Sequence, residues 1–389
     1  MTVKELVLQN ESYIIEMRRE FHMYPELSYQ EERTSRRIGE ELTKMGIPFE
    51  VVGRRNVVGI INKGKAGKKI AIRADIDALP VCEEVDVPFK SKNEGVMHAC
   101  GHDGHAAILL GIAKSLQELK DELNGQVFLC FQVAEEVGGG GADEIVDYLK
   151  EQGGVDQVIG THLMGQLPAG IIAIPDGPMM AGNTGFKITV KGVGGHGSRP
   201  DLAVDPLRPA CDILLKVQAI PVNRHDPFET VVVSPCMIHG GTKNNIIPET
   251  CEIEGNLRFF KVGDDQAVLE VMRQIAQNTA AAYGATAEVE GILMAPNPVI
   301  NDSEAATRGR ELAAELGFTV APPSKPATGS DDYANFLVDF KGFYCICGAH
   351  NTEIPGTSGN HHNPNFAIDE KALAQAAEFM GTYAYRFLQ

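Results

Sequence analysis

Apolar and polar positions change their period several times along the chain. The first 50 residues read as helical: one helix is predicted over residues 3–22, ended by Pro25, and a second over 31–45, stopped by Gly46. Short β-rich runs follow at 57–61, 69–74, 127–134 and 158–161, and another lies far downstream at 343–347. Helical patterns at 105–119 and 143–152 lie between them. Strands that alternate with helices predict an α/β domain around a mostly parallel, buried sheet.

Between residues 182 and 295 the rhythm differs. Phe186, Ile188 and Val190 alternate with polar neighbours, as in a strand exposed on one face. The predicted order is a strand at 186–191, a helix at 205–218, strands at 229–236 and 251–260, a helix at 264–283 and a strand at 286–291. That order is ferredoxin-like, an α+β domain with its helices on one face of a small sheet. The α/β pattern resumes afterwards, so the expected organisation is one domain over 1–181 and 296–389 with a second, 182–295, inserted in it. A chain of 389 residues is long enough to need two cores.

Composition narrows the function classes. Hydrophobic residues make up 43% and charged residues 22%, as in a folded globular protein. The formal net charge of −17 repels phosphate backbones and anionic lipid, which excludes nucleic acid and membrane surfaces as expected partners. No apolar run is long enough to span a bilayer, and residues 1–10 lack the apolar core of a signal peptide. A cytoplasmic location is expected, with the eight cysteines reduced. Most of those cysteines sit in apolar runs and read as core; Cys100 sits among histidines.

The segment from His98 to His105 holds three imidazoles, a thiol and a carboxylate (His98, Cys100, His102, Asp103, His105). Single histidines are ordinary, but this grouping is the preferred ligand set of Zn²⁺ and similar ions. The apolar run 127–134 ends in Glu135 and Glu136, a pair that is costly beside a buried strand unless it binds a cation. Adjacent carboxylates can divide the work: one ligates a metal and the other faces the water bound to it. A second run ends in His162, and a third in Asp75 and Asp77. Ligands of open α/β sheets collect at the C-terminal ends of strands, so the coincidence points to one site. His361 and His362 lie in a Gly/Asn/Pro loop and could complete it.

Two patterns point elsewhere and fail. Gly192, Gly194 and Gly197 fit a dinucleotide fingerprint, but Pro200 and Pro206 delay the helix it requires. Cys100 could act as a nucleophile with a histidine base, but Glu135, Glu136, His162 and His362 would then have no role.

These motifs resemble the aminoacylase and carboxypeptidase superfamily of metal-dependent amidohydrolases. The nearest branch holds hippurate hydrolase, indole-acetyl-amino-acid hydrolase and N-acetyl-diaminopimelate deacetylase. The resemblance runs from Arg18–Leu27 through Arg73–Pro80, the Cys100 cluster, Glu135–Glu136, Gly194–Pro200 and Asn245–Pro248 to His362–Pro364. It implies that Cys100, His102, Glu136, His162 and His362 bind two divalent ions per subunit, Zn²⁺, Mn²⁺ or Co²⁺. Cys100 stands where related peptidases have a bridging Asp. Glu135 matches the general base, and Asp77 a residue that orients a ligand histidine. His196 matches an oxyanion-stabilising residue that reaches a partner subunit's site from the inserted domain, which implies a homodimer through that domain. Asn245 and Arg258 fall at substrate-binding positions.

The implied reaction is hydrolysis of an N-acyl amino acid. A carboxypeptidase or dipeptidase on the same scaffold, and a metal- or peptide-binding module without catalysis, are the alternatives. The chain departs from the branch at Leu163–Pro168, where an aromatic residue near a proline is usual after the histidine, and at Gly329–Tyr333, where Gly-Ser-Glu-Asp-Phe is usual and Asp331 and Tyr333 stand in place of the Glu and the Phe.

Overall fold

The structure is a computed structural model that describes residues 1–138, 140–357 and 359–389. The chain divides into two compact units: Met1–Met179 with Ile300–Lys325 and Asp332–Gln389, and Met180–Val299 with Pro326–Asp331.

The first unit is built on an eight-stranded sheet. Its order is Phe49–Val52, Asn56–Ile61, Gly125–Gln132, Lys68–Asp75, Gln157–Pro168, Gly342–His350, Ile171–Ala173 and Thr319–Val320. The sheet is mixed. Strands run parallel at the centre, from Gly125–Gln132 across to Gly342–His350, while the pairings of Phe49–Val52, Asn56–Ile61 and Ile171–Ala173 with their inner neighbours are antiparallel. The parallel expectation therefore holds only at the centre; Asn56–Ile61, buried along its whole length like Gly125–Gln132, pairs antiparallel with it. Helix His102–Glu118 packs on Glu11–Met23 and Lys371–Phe387, and Phe21, Leu110, Leu129, Phe343 and Phe379 belong to one core.

Several boundaries differ from the sequence expectation. The first expected helix is two, Val3–Gln9 and Glu11–Met23, broken at Asn10. Thr2 and Glu5 form a capping box at the start of the first. The strand Gly125–Gln132 stops earlier than expected, because Ala134 takes a left-handed φ of 57°. The strand carrying His162 runs on to Pro168, so His162 lies inside it and not at its end. Gly165 and Pro168 disguise this extension in sequence; pairing with Gly342–His350 recruits the segment into the sheet.

In the second unit the sheet order is Val231–Gly240, Thr250–Phe259, Gly182–Lys191 and Thr286–Ala295, antiparallel throughout. Helices Leu207–Gln218 and Asp264–Ala282 pack together and onto this sheet, which is the ferredoxin-like order expected. Phe186, Ile188, Leu257, Phe259 and Met272 form a separate core. A small extra ladder was not anticipated. Gly195–His196 pairs with Ile246–Ile247, and the Gly197 N–H donates to the Asn245 carbonyl at 2.9 Å.

Candidate metal centre

Gly101 caps helix His102–Glu118 at a φ of 101°, a conformation that suits glycine, and this sets His102 as the first helical residue. His102 Nδ1 lies 3.0 Å from the Asp77 carbonyl and 3.2 Å from Asp77 Oδ1. Both are acceptors, so the proton sits on Nδ1 and the lone pair of Nε2 points away. Nε2 is buried with no hydrogen-bond partner. It faces Glu136 Oε1 at 3.8 Å, which is also buried without a partner. Two orphaned acceptors directed at one point are a costly arrangement that a cation would satisfy.

The other donors close around that point. His162 Nδ1 lies 2.7 Å from the Leu163 carbonyl, which turns Nε2 towards Cys100 Sγ at 3.4 Å. His362 Nε2 lies 3.4 Å from Glu136 Oε2. The ligand atoms of Cys100, His102 and His162 fall within 4.8 Å of one another, and so do those of Cys100, Glu136 and His362 and of His102, Glu135 and Glu136. Cys100 and Glu136 thus link overlapping donor groups, as a two-ion centre requires. The side chain of His362 is 53% exposed, whereas that of His102 is 1% exposed. His362 sits at a φ of 61°, its N–H donating to the Ala99 carbonyl at 2.8 Å.

Supporting groups hold the pieces in place. Asp77 is buried, and its Oδ2 accepts from the Glu136 N–H at 3.0 Å and the Ser28 hydroxyl at 2.7 Å. Burial works against its charge, but these bonds and His102 win and hold the carboxyl below its usual range. The turn into Glu135 is also fixed by side chains. Asn56 Oδ1 accepts from the Val133 N–H at 2.9 Å, and Glu31 Oε1 from the Ala134 N–H at 2.8 Å.

Asp75 and His105, which the sequence places among the metal-capable residues without a specific role, belong to this support. Arg73 donates to Asp75 Oδ2 at 2.7 Å and to Asp332 at 2.9 Å. His105 Nε2 accepts from the Leu163 N–H at 2.9 Å, so its Nδ1 donates to Asp75 Oδ1 at 2.6 Å. The chain ties Asp75 to the strand that carries His162. The available signal was the Asp75/Asp77 alternation beside the His102/His105 spacing on a helix. His361, beside His362 in the same loop, has its Nδ1 3.1 Å from the Cys100 carbonyl. His98 is buried apart from the donor groups, and burial lowers it to about 4, so it is neutral near pH 7.

The electrostatics match a cation site. Burial opposes protonation of His102, but the Asp75 charge and the Asp77 bond outweigh it and raise the imidazole well above its usual value. Burial pushes the Cys100 thiol up to about 12. A bound divalent ion inverts such logic and deprotonates a coordinating thiol.

Thus Cys100, His102, Glu135, Glu136, His162, His362 and Asp77 come together in the first unit. His196, Asn245 and Arg258 lie in the second, where His196 belongs to the ladder paired with Ile246–Ile247 and Asn245 immediately precedes that pairing strand. Arg258 is on strand Thr250–Phe259, its Nε donating to Asn256 Oδ1 at 2.8 Å and its NH1 lying 3.4 Å from the Ser330 hydroxyl.

The signature of Peptidase family M20/M25/M40 matches residues 71–386. The chain belongs to this family. It is similar to thermostable carboxypeptidase 1 of Saccharolobus solfataricus, with 39% identity over 99% of this chain and 98% of the relative. It is also similar to the N-acetylcysteine deacetylase of Bacillus subtilis, with 37% identity over 97% of each. Among solved structures, a Bacillus subtilis dinuclear metal binding peptidase of the M20 family superposes with a TM-score of 0.83, at 35% identity over 97% of this chain and 98% of that one. The family membership and the donor cluster together make this M20 chain a metal-dependent hydrolase of amide bonds. No described helix of it is long and apolar enough to cross a membrane.

Proposed function

We propose that this protein hydrolyses the amide bond of N-acyl amino acids at a binuclear centre held by Cys100, His102, Glu136, His162 and His362. The observation that carries the reading is the pair of buried, unpartnered atoms, His102 Nε2 and Glu136 Oε1, directed at one point within the cluster. When bound, two divalent ions (Zn²⁺, Mn²⁺ or Co²⁺) polarise the amide carbonyl and acidify water.

The chain's own residues supply the rest. Glu135 is half-buried beside Glu136, and its carboxylate takes the proton of the attacking water and passes it to the leaving nitrogen. Asp77 keeps the proton on His102 Nδ1 and steadies the Glu136 backbone. His196 Nδ1 accepts from the Ser198 N–H at 3.1 Å, so its proton is on Nε2, where it can be donated to an oxyanion. Asn245 and Arg258 are assigned to the substrate carboxylate. Arg258 is half-buried and supplies the cation for that anion.

The N-acetylcysteine deacetylase relative favours deacylation, and the carboxypeptidase relative supports peptide cleavage as the second reading. Hydrolysis of a panel of N-acetyl and N-benzoyl amino acids beside dipeptides decides between them. Faster turnover of dipeptides would overturn the first. We assign the protein to a reducing compartment, the cytoplasm, because all eight cysteines are free thiols. We also propose a homodimer through the inserted domain. Its outer strands, Val231–Gly240 and Thr286–Ala295, expose Met237, Ile238, Leu293 and Met294.

A further inference from the structure

The inserted domain holds a second convergence of unsatisfied ligand atoms, in a different unit from the cluster described above. His225 lies in the segment before strand Val231–Gly240, and Asp264 is the first residue of helix Asp264–Ala282. His225 Nε2 and Asp264 Oδ2 are both buried without a hydrogen-bond partner. They face each other at 3.8 Å, too far for a hydrogen bond. Glu229 Oε2 stands 3.8 Å from the same nitrogen. The side chains of His225 and Asp264 are only 10% and 9% exposed, while Glu229, at 33%, opens the group to solvent.

The surroundings hold these three atoms in place. Lys261 binds the other oxygen, Glu229 Oε1, at 2.8 Å, which leaves Oε2 directed inward. The Glu229 N–H donates to the Asp226 carbonyl at 3.0 Å, and the Phe228 N–H to Asp226 Oδ1 at 2.9 Å, so the turn carrying Glu229 is tied to itself. Asp265, next to Asp264, is engaged elsewhere by Gln266 and Thr184. A protonated His225 bridging the two carboxylates would draw each into hydrogen-bond distance, and neither contact is that short.

We infer that His225 Nε2, Glu229 Oε2 and Asp264 Oδ2 form a site for a divalent transition-metal ion, with Zn²⁺ the best match. One imidazole and two carboxylates are zinc donors, and the two carboxylates balance the ion's charge. Donors at about 2.1 Å from a shared tetrahedral ion stand about 3.4 Å apart, and the ligand atoms of these three residues already lie within 4.8 Å of one another, so modest side-chain rotation closes the set. The remaining position faces solvent beside Glu229 and takes water. The role is structural: the ion fastens the segment at 225–229 to the start of helix Asp264–Ala282.

The test uses the full chain, stripped with chelator, dialysed against Zn²⁺ and measured by elemental analysis. His225→Ala and Asp264→Asn are each expected to bind one zinc ion fewer per chain than the unaltered protein, with amide hydrolysis unchanged. Equal zinc content in all three would overturn the site. Should either variant fail to fold, hydrogen exchange on the unaltered chain decides. Zn²⁺ but not Mg²⁺ should protect amides in 225–229 and in the first turn of the 264–282 helix; no protection there would overturn the inference equally.

Discussion

At the scale of single residues, Glu135 and Glu136 are neighbours held by different partners. Glu136 has its N–H bound by Asp77 and an orphaned Oε1, whereas Glu135 belongs to the group formed with His102 and Glu136. Glu135→Ala is expected to lower kcat by about 10²–10⁴-fold, the usual contribution of a general base, while elemental analysis finds the metal content unchanged. Loss of metal together with activity would instead make Glu135 a ligand. Asp77→Ala is expected to act through metal affinity, weakening it by about 10–100-fold in a chelator competition, because it orients His102 from the Nδ1 side of the ring. A variant that kept its affinity but lost turnover would contradict that role.

At the scale of elements, the turn after Gly125–Gln132 depends on acceptors from outside it. Glu31 holds the N–H of Ala134, which sits at a φ of 57°. Glu31→Ala is expected to lose about 1–3 kcal/mol in denaturant unfolding, the cost of leaving a buried donor unsatisfied, and Glu31→Gln to recover most of it. A further element pairing is pH-dependent. Glu41 joins helices Glu11–Met23 and Glu32–Lys44; burial opposes its charge, but bonds from Lys44, Arg37 and Tyr13 lower it to about 2. Because the folded value is depressed, this stabilisation is present above the unfolded value of about 4.3 and disappears as pH falls through about 2. The stability gap between the native chain and Glu41→Gln should close over that window in urea titrations. Element order was legible in sequence because the periodicities of strand and helix are local. The long-range supports were not. Asp75 meets His105, and Arg73 meets Asp332, only once the sheet assembles, and nothing local marks those partners. The extension of the His162 strand to Pro168 was hidden for the same reason, since Gly342–His350 supplies its pairing.

For the whole molecule, two separate cores, one around Phe21 and Phe379 and one around Phe186 and Phe259, make each unit able to melt on its own terms. Metal binding to the first unit adds to its stability by mass action. Removing metal with a chelator should therefore lower the unfolding temperature of that unit in calorimetry. Hydrogen exchange would assign the shift to the strand Gly125–Gln132 rather than to Thr250–Phe259. A dimer through the inserted domain predicts that Ile238→Lys or Leu293→Lys, tested separately, produces monomers on size-exclusion chromatography. A dimer that survives both would move the interface elsewhere.

The extension of the His162 strand has a kinetic consequence. His162 and His102 are mounted on a sheet strand and a helix, while His362 rides on a loop, half open to solvent. The cage has a fixed wall and a hinged door. An ion entering or leaving should pass by way of His362, whose detachment disturbs little else. His362→Ala should accordingly speed metal release in stopped-flow chelation more than it weakens the fold, and His162→Ala should do the reverse.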